Sequence, residues 1–483
     1  MPSAPIITQR FQDLVKTIAY KKGIPGMRFT FVPHPISGRT AEQSHQYVLG
    51  KDPLTGKPII DELISALTKP LSDDDKKTGF LARAPRPRLL EPDTPAKLAQ
   101  LFNDNGWTDG LPIVLPTEER IAEMLKGTSH KPDETVGTMR PSPPHEAWEY
   151  TVEMVAANAV MAGAKPEYFP TILALASTGV TSLFTSTTSF ARMVVVNGPI
   201  RDEIKMNSGI GAMGPFNEAN ATIGRAWTLI SKNLGGGGVP GETYLGSQGS
   251  NLNYNNMCFP ETEDGLPRGW NPLHVQKGFK ASESVVSTFT GWSISNYGAY
   301  INLPHQEIMK WQLQNFFTSG TGGGGSATIL IDPVVAKDLQ ELQNFGTKEK
   351  LGEWLAQNAT TPAWHYWARG ENQLKQAKEG TEPFASWLKS GANASLPVSP
   401  FIRRFPQGAP GQGGAPAQGA PKAAPGQGGA PAQAAAKAPP QGAAPAGPPR
   451  TPIEIIVMGG GTNPYWIAGD FSYVSSASID KWR

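Results

Sequence analysis

Three residues stand at a spacing that could support covalent or proton-transfer chemistry. Cys258 lies in Asn255-Asn256-Met257-Cys258-Phe259-Pro260-Glu261-Thr262-Glu263, and His274 follows sixteen positions later in Pro272-Leu273-His274-Val275-Gln276. A thiol becomes a nucleophile when a nearby histidine or positive potential stabilises the thiolate, and a carboxylate can orient that histidine. In that arrangement Cys258 forms a covalent or thiolate intermediate, His274 exchanges protons and Glu261 orients it. A lone cysteine between methionine and phenylalanine also fits a small buried hydrophobe. The folded geometry decides between these readings.

The densest polar region, residues 197–279, surrounds this grouping. Within it Asn197 ends a strand-like run, and residues 209–214 match G-x-G-x-x-G. No strand ends directly before Gly209, and no acidic residue ends a strand about 20 residues later, as a dinucleotide site requires. A glycine-rich turn against the helix that follows fits better. Asn217, Asn220 and Arg225 fall near the start of that helix, where backbone N–H groups and the helix dipole attract anions. They could hold an oxygen-rich substrate. Equally, Asn217 could cap the helix and Arg225 could pair with an acid. The run Gly459-Gly460-Gly461-Thr462-Asn463 follows a strand and could present N–H groups to an anion, with Gly460 and Asn463 as further substrate contacts, or form a tight turn. The histidines have no metal-ligand spacing, so no protein-only metal site is expected, and the sequence leaves the cofactor unknown.

These residues need elements to position them. Residues 1–70 read as an amphipathic helix (Phe11, Leu14, Val15, Ile18), a strand over 28–32 and a helix over 59–67, which is half of an α/β unit. Residues 71–92, with Asp-Asp-Asp-Lys-Lys and Arg-Pro-Arg-Pro-Arg, form an exposed connection. The main domain, 93–406, contains the motif Gly106-Trp107-Thr108-Asp109-Gly110-Leu111-Pro112, a strand over 113–115 and a helix over 117–126 capped by Thr117. Apolar helices over 147–162 and 166–177 follow. Runs at 193–196, 329–331 and 453–458 are Val- and Ile-rich and end in Gly/Pro turns. The pattern predicts an α/β fold with a partly parallel sheet and covering helices, and ligands at the carboxyl ends of its strands.

Composition narrows the function. Lys and Arg number 43 and Asp and Glu 41, a formal charge of +2, which supplies no footprint for nucleic acid or a membrane surface. A single cysteine excludes a disulfide framework and predicts a reducing, cytoplasmic compartment. The first residues lack the apolar core of a secretory signal, and no stretch approaches a spanning helix. Residues 407–450, with APGQGGAPAQ at 409–418 and again at 424–433, are predicted to form a disordered linker able to span about 35–40 Å. Residues 451–483 carry Tyr465, Trp466, Phe471, Tyr473 and Trp482, too apolar for a frayed tail and too short to fold alone. They are predicted to pack on the main domain or a neighbouring subunit.

The sequence also resembles the UGSC-type (seleno)proteins, named for a selenocysteine/cysteine-Gly-Ser-Cys motif. Lys22-Gly23-Ile24-Pro25 and Phe31-Val32-Pro33-His34-Pro35 are similar to the second half of the small UGSC-like domain. GWTDGLP (106–112), NAVMAGAKPEYF (158–169), VVNGPI (195–200), NATIGR (220–225), CFPETE (258–263) and LHVQKGF (273–279) are similar to its larger partner domain. The resemblance implies thiol- or selenol-linked redox work. No U/C-G-S-C motif occurs in this chain, so a separate subunit would have to supply it, in a hetero-oligomer. Three functions follow as expectations: an oxidoreductase-like subunit acting on a small polar or anionic substrate, a non-catalytic subunit clamping a catalytic partner, or a non-redox lyase or hydrolase of a carbon–heteroatom bond.

Overall fold

In the computed structural model the described residues are 3–36, 39–77, 88–142, 145, 147–291, 294–297, 304–317, 327–369, 371–397, 453–462 and 464–483. The linker expected at 407–450 lies outside them, as does Asn463.

The first unit is a βαβ turn. Strand Ile6–Thr8 pairs in parallel with Thr30–Val32, joined by helix Gln12–Lys21, and helices Ala41–Leu49 and Ile59–Thr68 follow. The first strand and the Ala41–Leu49 helix are additions to the sequence reading. The helix is nonetheless signalled locally by a capping box, in which Thr40 and Gln43 each satisfy the other's backbone N–H.

The rest of the fold is built on two four-stranded mixed sheets. One has Ser472–Ser478, Val285–Gly291, Ala191–Asn197 and Cys258–Pro260 in that spatial order, and the other has Ile453–Val457, Ala327–Ile331, Trp466–Gly469 and Ile294–Tyr297. Each contains one parallel pair, Ala191–Asn197 with Cys258–Pro260 and Ala327–Ile331 with Ile453–Val457. The expected α/β class with a partly parallel sheet is therefore present, in two sheets where the sequence suggested one.

Period-2 alternation explains the layering. On one strand Val194 and Val196 join the core under helices Val152–Ala162, Phe169–Ser177 and Glu218–Asn233. Their neighbours Ala191, Met193 and Val195 join Phe259 and Phe289 in a second core shared with Leu330 and Ile456 of the other sheet and with Phe471, which lies between the two sheets' last strands. The opposite face of that sheet, Ile329, Ile331, Ile455 and Val457, packs under helices His305–Phe317, Pro333–Glu341 and Lys348–Asn358. Four layers result: helices, sheet, sheet, helices.

Two local expectations change. Residues 113–115 form no strand, because this segment lies against helix Val152–Ala162, with the Val114 N–H on the Met161 carbonyl at 3.3 Å. Trp148–Thr151 is a strand paired with Thr135–Met139, so the helix begins at Val152, where the Thr151 side chain caps it. Among the described residues no helix is long and apolar enough to cross a membrane.

Residues 453–483 contribute three strands, Ile453–Val457, Trp466–Gly469 and Ser472–Ser478. The chain turns from the second sheet to the first at Asp470 and Phe471, and the last residues fasten to the 128–134 region. Thr128 Oγ1 donates to the Trp482 carbonyl at 2.6 Å. The His130 ring lies 4.7 Å from that of Trp482, with Nε2 2.7 Å from the Lys481 carbonyl and Nδ1 2.9 Å from Glu134. Both ring nitrogens face acceptors, which only the doubly protonated imidazole satisfies. Burial works against that charge, but the bonds to the Lys481 carbonyl and to Glu134 outweigh it and raise the pKa above its ordinary 6.5. A raised value contributes stability that is complete below pH 6.5 and is lost as pH rises through it. The protection factor of the Trp482 N–H, which is bonded to the Ile479 carbonyl, is expected to fall across that window once the intrinsic base-catalysed rise of exchange with pH is divided out. His130→Gln is expected to abolish the pH dependence, and an unchanged profile would disprove the linkage.

Candidate functional site

At the carboxyl ends of strands Ala191–Asn197, Cys258–Pro260 and Ile453–Val457, where the two sheets meet, lies a cluster of polar side chains in an otherwise apolar layer. Its base is Glu261, fully buried. One carboxylate oxygen pairs with the Lys348 ammonium and accepts from the Val457 N–H at 3.4 Å. The other accepts from Asn197 Nδ2 at 2.8 Å and the Leu273 N–H at 2.6 Å. Lys348 opens its helix behind the Thr347 cap and is itself buried. One carboxylate thus ties together both sheets and the starts of two helices.

Glu263 forms the outer edge, its side chain 16% exposed. It accepts from the Gly198 N–H at 2.7 Å and Asn197 Nδ2 at 3.0 Å, and lies 3.4 Å from Arg201 Nε. Arg201 is buried and donates to the carbonyls of Gly198 and Glu261. Gly198 is required here, since its φ is 85° and a Cβ would lie 2.2 Å from the Glu283 carbonyl oxygen.

His274 is the distinctive member. It is fully buried, and neither ring nitrogen has a hydrogen-bond partner among the described residues. The nearest opposite charge is the Glu263 carboxylate, 3.9 Å from Nδ1. Asn197 Oδ1 is likewise buried and unpartnered. Buried polar groups are nearly always satisfied, so a histidine left open on both sides has bonding capacity for an ordered water or for the polar group of a ligand. Glu261 and Glu263 are balanced by Lys348 and Arg201. That pairing leaves the His274 ring and Asn197 Oδ1 as the cluster's unpartnered polar groups among the described residues, which suits a polar ligand.

The structure brings together Asn197, Glu261 and His274 from the residues singled out in the sequence, and it places the others elsewhere. Cys258 is buried in the helix-side core, its Cβ beside Gly224, with no bond to His274. Burial pushes its thiol up to about 12, against a bond from the Gly224 backbone, so it is held neutral. Alkylation of Cys258 in the native protein is expected to be at least about 100-fold slower than in the unfolded chain, and comparable rates would show the thiol accessible.

The glycine-rich run is a loop with no preceding strand, fastened by two asparagines. Asn220 accepts from the Asn207 N–H and donates to the carbonyls of Asn207 and Ala212. Asn217 makes no capping bond with its side chain, which instead donates to the carbonyls of Gly211 and Gly214. Arg225 grips Asp109 of the GWTDGLP motif in two bonds of 2.8 and 2.9 Å and also reaches the Pro112 carbonyl. No bond connects Asn220 or Arg225 to the His274 cluster among the described residues. Gly460 packs on that loop, where a Cβ would fall 2.2 Å from Ile210, and the Gly459 N–H is already bonded to the Ser208 carbonyl at 2.7 Å. Ser208 in turn accepts from Thr262 Oγ1 at 2.6 Å, which brings this loop to the rim of the cluster.

Arg201, Glu263 and Lys348 join the site without having been singled out. Glu263 sits in the CFPETE stretch and Arg201 directly after VVNGPI, so the quoted motifs border them. Lys348, in Thr347-Lys348-Glu349-Lys350, reads as a solvated helix start and carries no local signal. Among the described residues no group of three or more His, Cys, Asp or Glu is placed to hold a metal ion. A cavity of about 440 Å³ is lined by His130, Ser177, Phe279 and Trp482 among others and by none of the cluster's side chains, although the Phe279 N–H is bonded to the His274 carbonyl at 3.0 Å.

No curated protein and no solved structure matches the chain. Residues 1–51, which hold the Ile6–Thr8 and Thr30–Val32 strands with the helix between them, match the UGSC family model, and the protein thus carries a UGSC-type unit at its N-terminus.

Proposed function

We propose that this chain is an enzyme subunit that acts on a small polar or anionic substrate by proton transfer, breaking a carbon–heteroatom bond without net redox change. The observation that carries this reading is His274, buried with both nitrogens open beside a carboxylate. In the proposed step His274 accepts a proton from the substrate carbon, or from an attacking water, as the carbon–heteroatom bond breaks. It then returns the proton to the departing heteroatom. Glu263 steadies the imidazolium, while Asn197 and Arg201 face the polar end of the substrate. Cys258, held neutral in the core, has no step.

The test is turnover by the isolated protein over a panel of small hydroxy, amino and phospho acids. Activity should need no added thiol or electron donor, should survive Cys258→Ser and should fail in His274→Asn. Turnover that depends on a donor, or that persists in His274→Asn, would overturn the reading.

A second reading rests on the UGSC-type unit. Its two parallel strands, Ile6–Thr8 and Thr30–Val32, pair with no other described strand, and the chain contains no C-G-S-C sequence. Parallel strands are ordinarily found in larger, covered sheets. A separate subunit that extends this sheet and carries a thiol or selenol would make the assembly an oxidoreductase. Donor-dependent activity appearing only in the co-purified complex favours this reading over the first.

A further inference from the structure

Arg192 begins at the far end of the strand that ends in Asn197, about 17 Å from it at strand spacing. It is 6% exposed. By alternation its side chain lies on the helix-facing side with Val194 and Val196, opposite Thr290 on the neighbouring strand. The guanidinium lies over the Phe184 ring, 5.9 Å from its centre. It forms no ion pair among the described residues, and its Nε is buried without a hydrogen-bond partner. Burial alone lowers its pKa to about 10, which leaves it charged at neutral pH.

A buried cation without a counter-charge is unfavourable, and every other buried lysine or arginine among the described residues has one. Lys348 has Glu261, Lys277 has Glu454 and Arg201 has Glu263. The segment leading into Arg192, Thr185-Ser186-Thr187-Thr188-Ser189-Phe190, is rich in hydroxyls. Those of Thr188 and Ser189 are half-buried. A planar guanidinium that follows a hydroxyl-rich segment in the chain suits an oxyanion held by two parallel bonds.

We propose that Arg192 anchors a second small-anion site, for a phosphate or carboxylate group, at the end of the sheet opposite His274. The anion is the missing counter-charge, so its binding stabilises the folded protein. The experiment is thermal unfolding of the full chain with inorganic phosphate or malonate, against chloride at matched ionic strength. At least one anion is expected to raise the melting temperature of the wild type by about 2 °C or more, and the more effective one identifies the group. Arg192→Met is expected to melt no lower than the wild type in chloride and to lose the response, with Arg192→Lys retaining part of it. Three results would overturn the proposal: no stabilisation of the wild type by either anion, an undiminished response in Arg192→Met, or failure of Arg192→Met to fold. The last would show that the charge has a structural partner within the chain.

Discussion

Replacing Lys348 by methionine is expected to cost the folded protein about 3–5 kcal/mol, the loss typical when one partner of a buried ion pair is removed. Glu261 would keep its bonds from Asn197, Leu273 and Val457 but lose the only cation paired with it among the described residues. The expense is the stranded charge more than the lost contact, which the double variant Glu261→Gln/Lys348→Met separates. With both charges gone it should recover a large part of the loss, giving strong coupling in a double-mutant cycle. Urea unfolding followed by circular dichroism reads both values. A single variant within about 1 kcal/mol of wild type would show that the pair is solvated.

For His274→Asn the expected result is a loss of about 100- to 10,000-fold in kcat, the range for removing a general acid or base. The KM should change far less, because Asn197 and Arg201 remain. Glu263→Gln is the companion. It keeps an acceptor for the Gly198 N–H and for Asn197 but removes the charge that steadies an imidazolium, so it should lower kcat by a smaller factor and shift the pH profile. A structural role for His274 would instead lower the melting temperature of His274→Asn and leave the rate per folded molecule unchanged.

Much of the fold was legible because its signals are local. Thr117 with Glu118 and Glu119 starts a helix wherever it stands, and the observed Glu118–Leu125 helix has that cap. Val- and Ile-rich runs ending in Gly/Pro turns identify strands from a few neighbouring residues, and those at 191–197, 327–331 and 453–457 are present. Trp148–Thr151 carries the strand-favouring Trp, Tyr and Thr, but at four residues it runs without a break into the apolar helix after it, and pairing with Thr135–Met139 makes it a strand.

By itself the sequence determined the α/β class, the N-terminal UGSC-type unit and the polar character of the region that contains Asn197, Glu261 and His274. Each depends on residue type and short-range spacing. Tertiary structure alone decided that the strands divide into two stacked sheets, that Cys258 turns into the core while Glu261 turns to the sheet ends, and that Lys348 arrives from 87 positions away to neutralise it. The physical reason is that strand pairing and burial of charge are satisfied between segments far apart in the chain, and no local pattern records which distant segment will supply the partner.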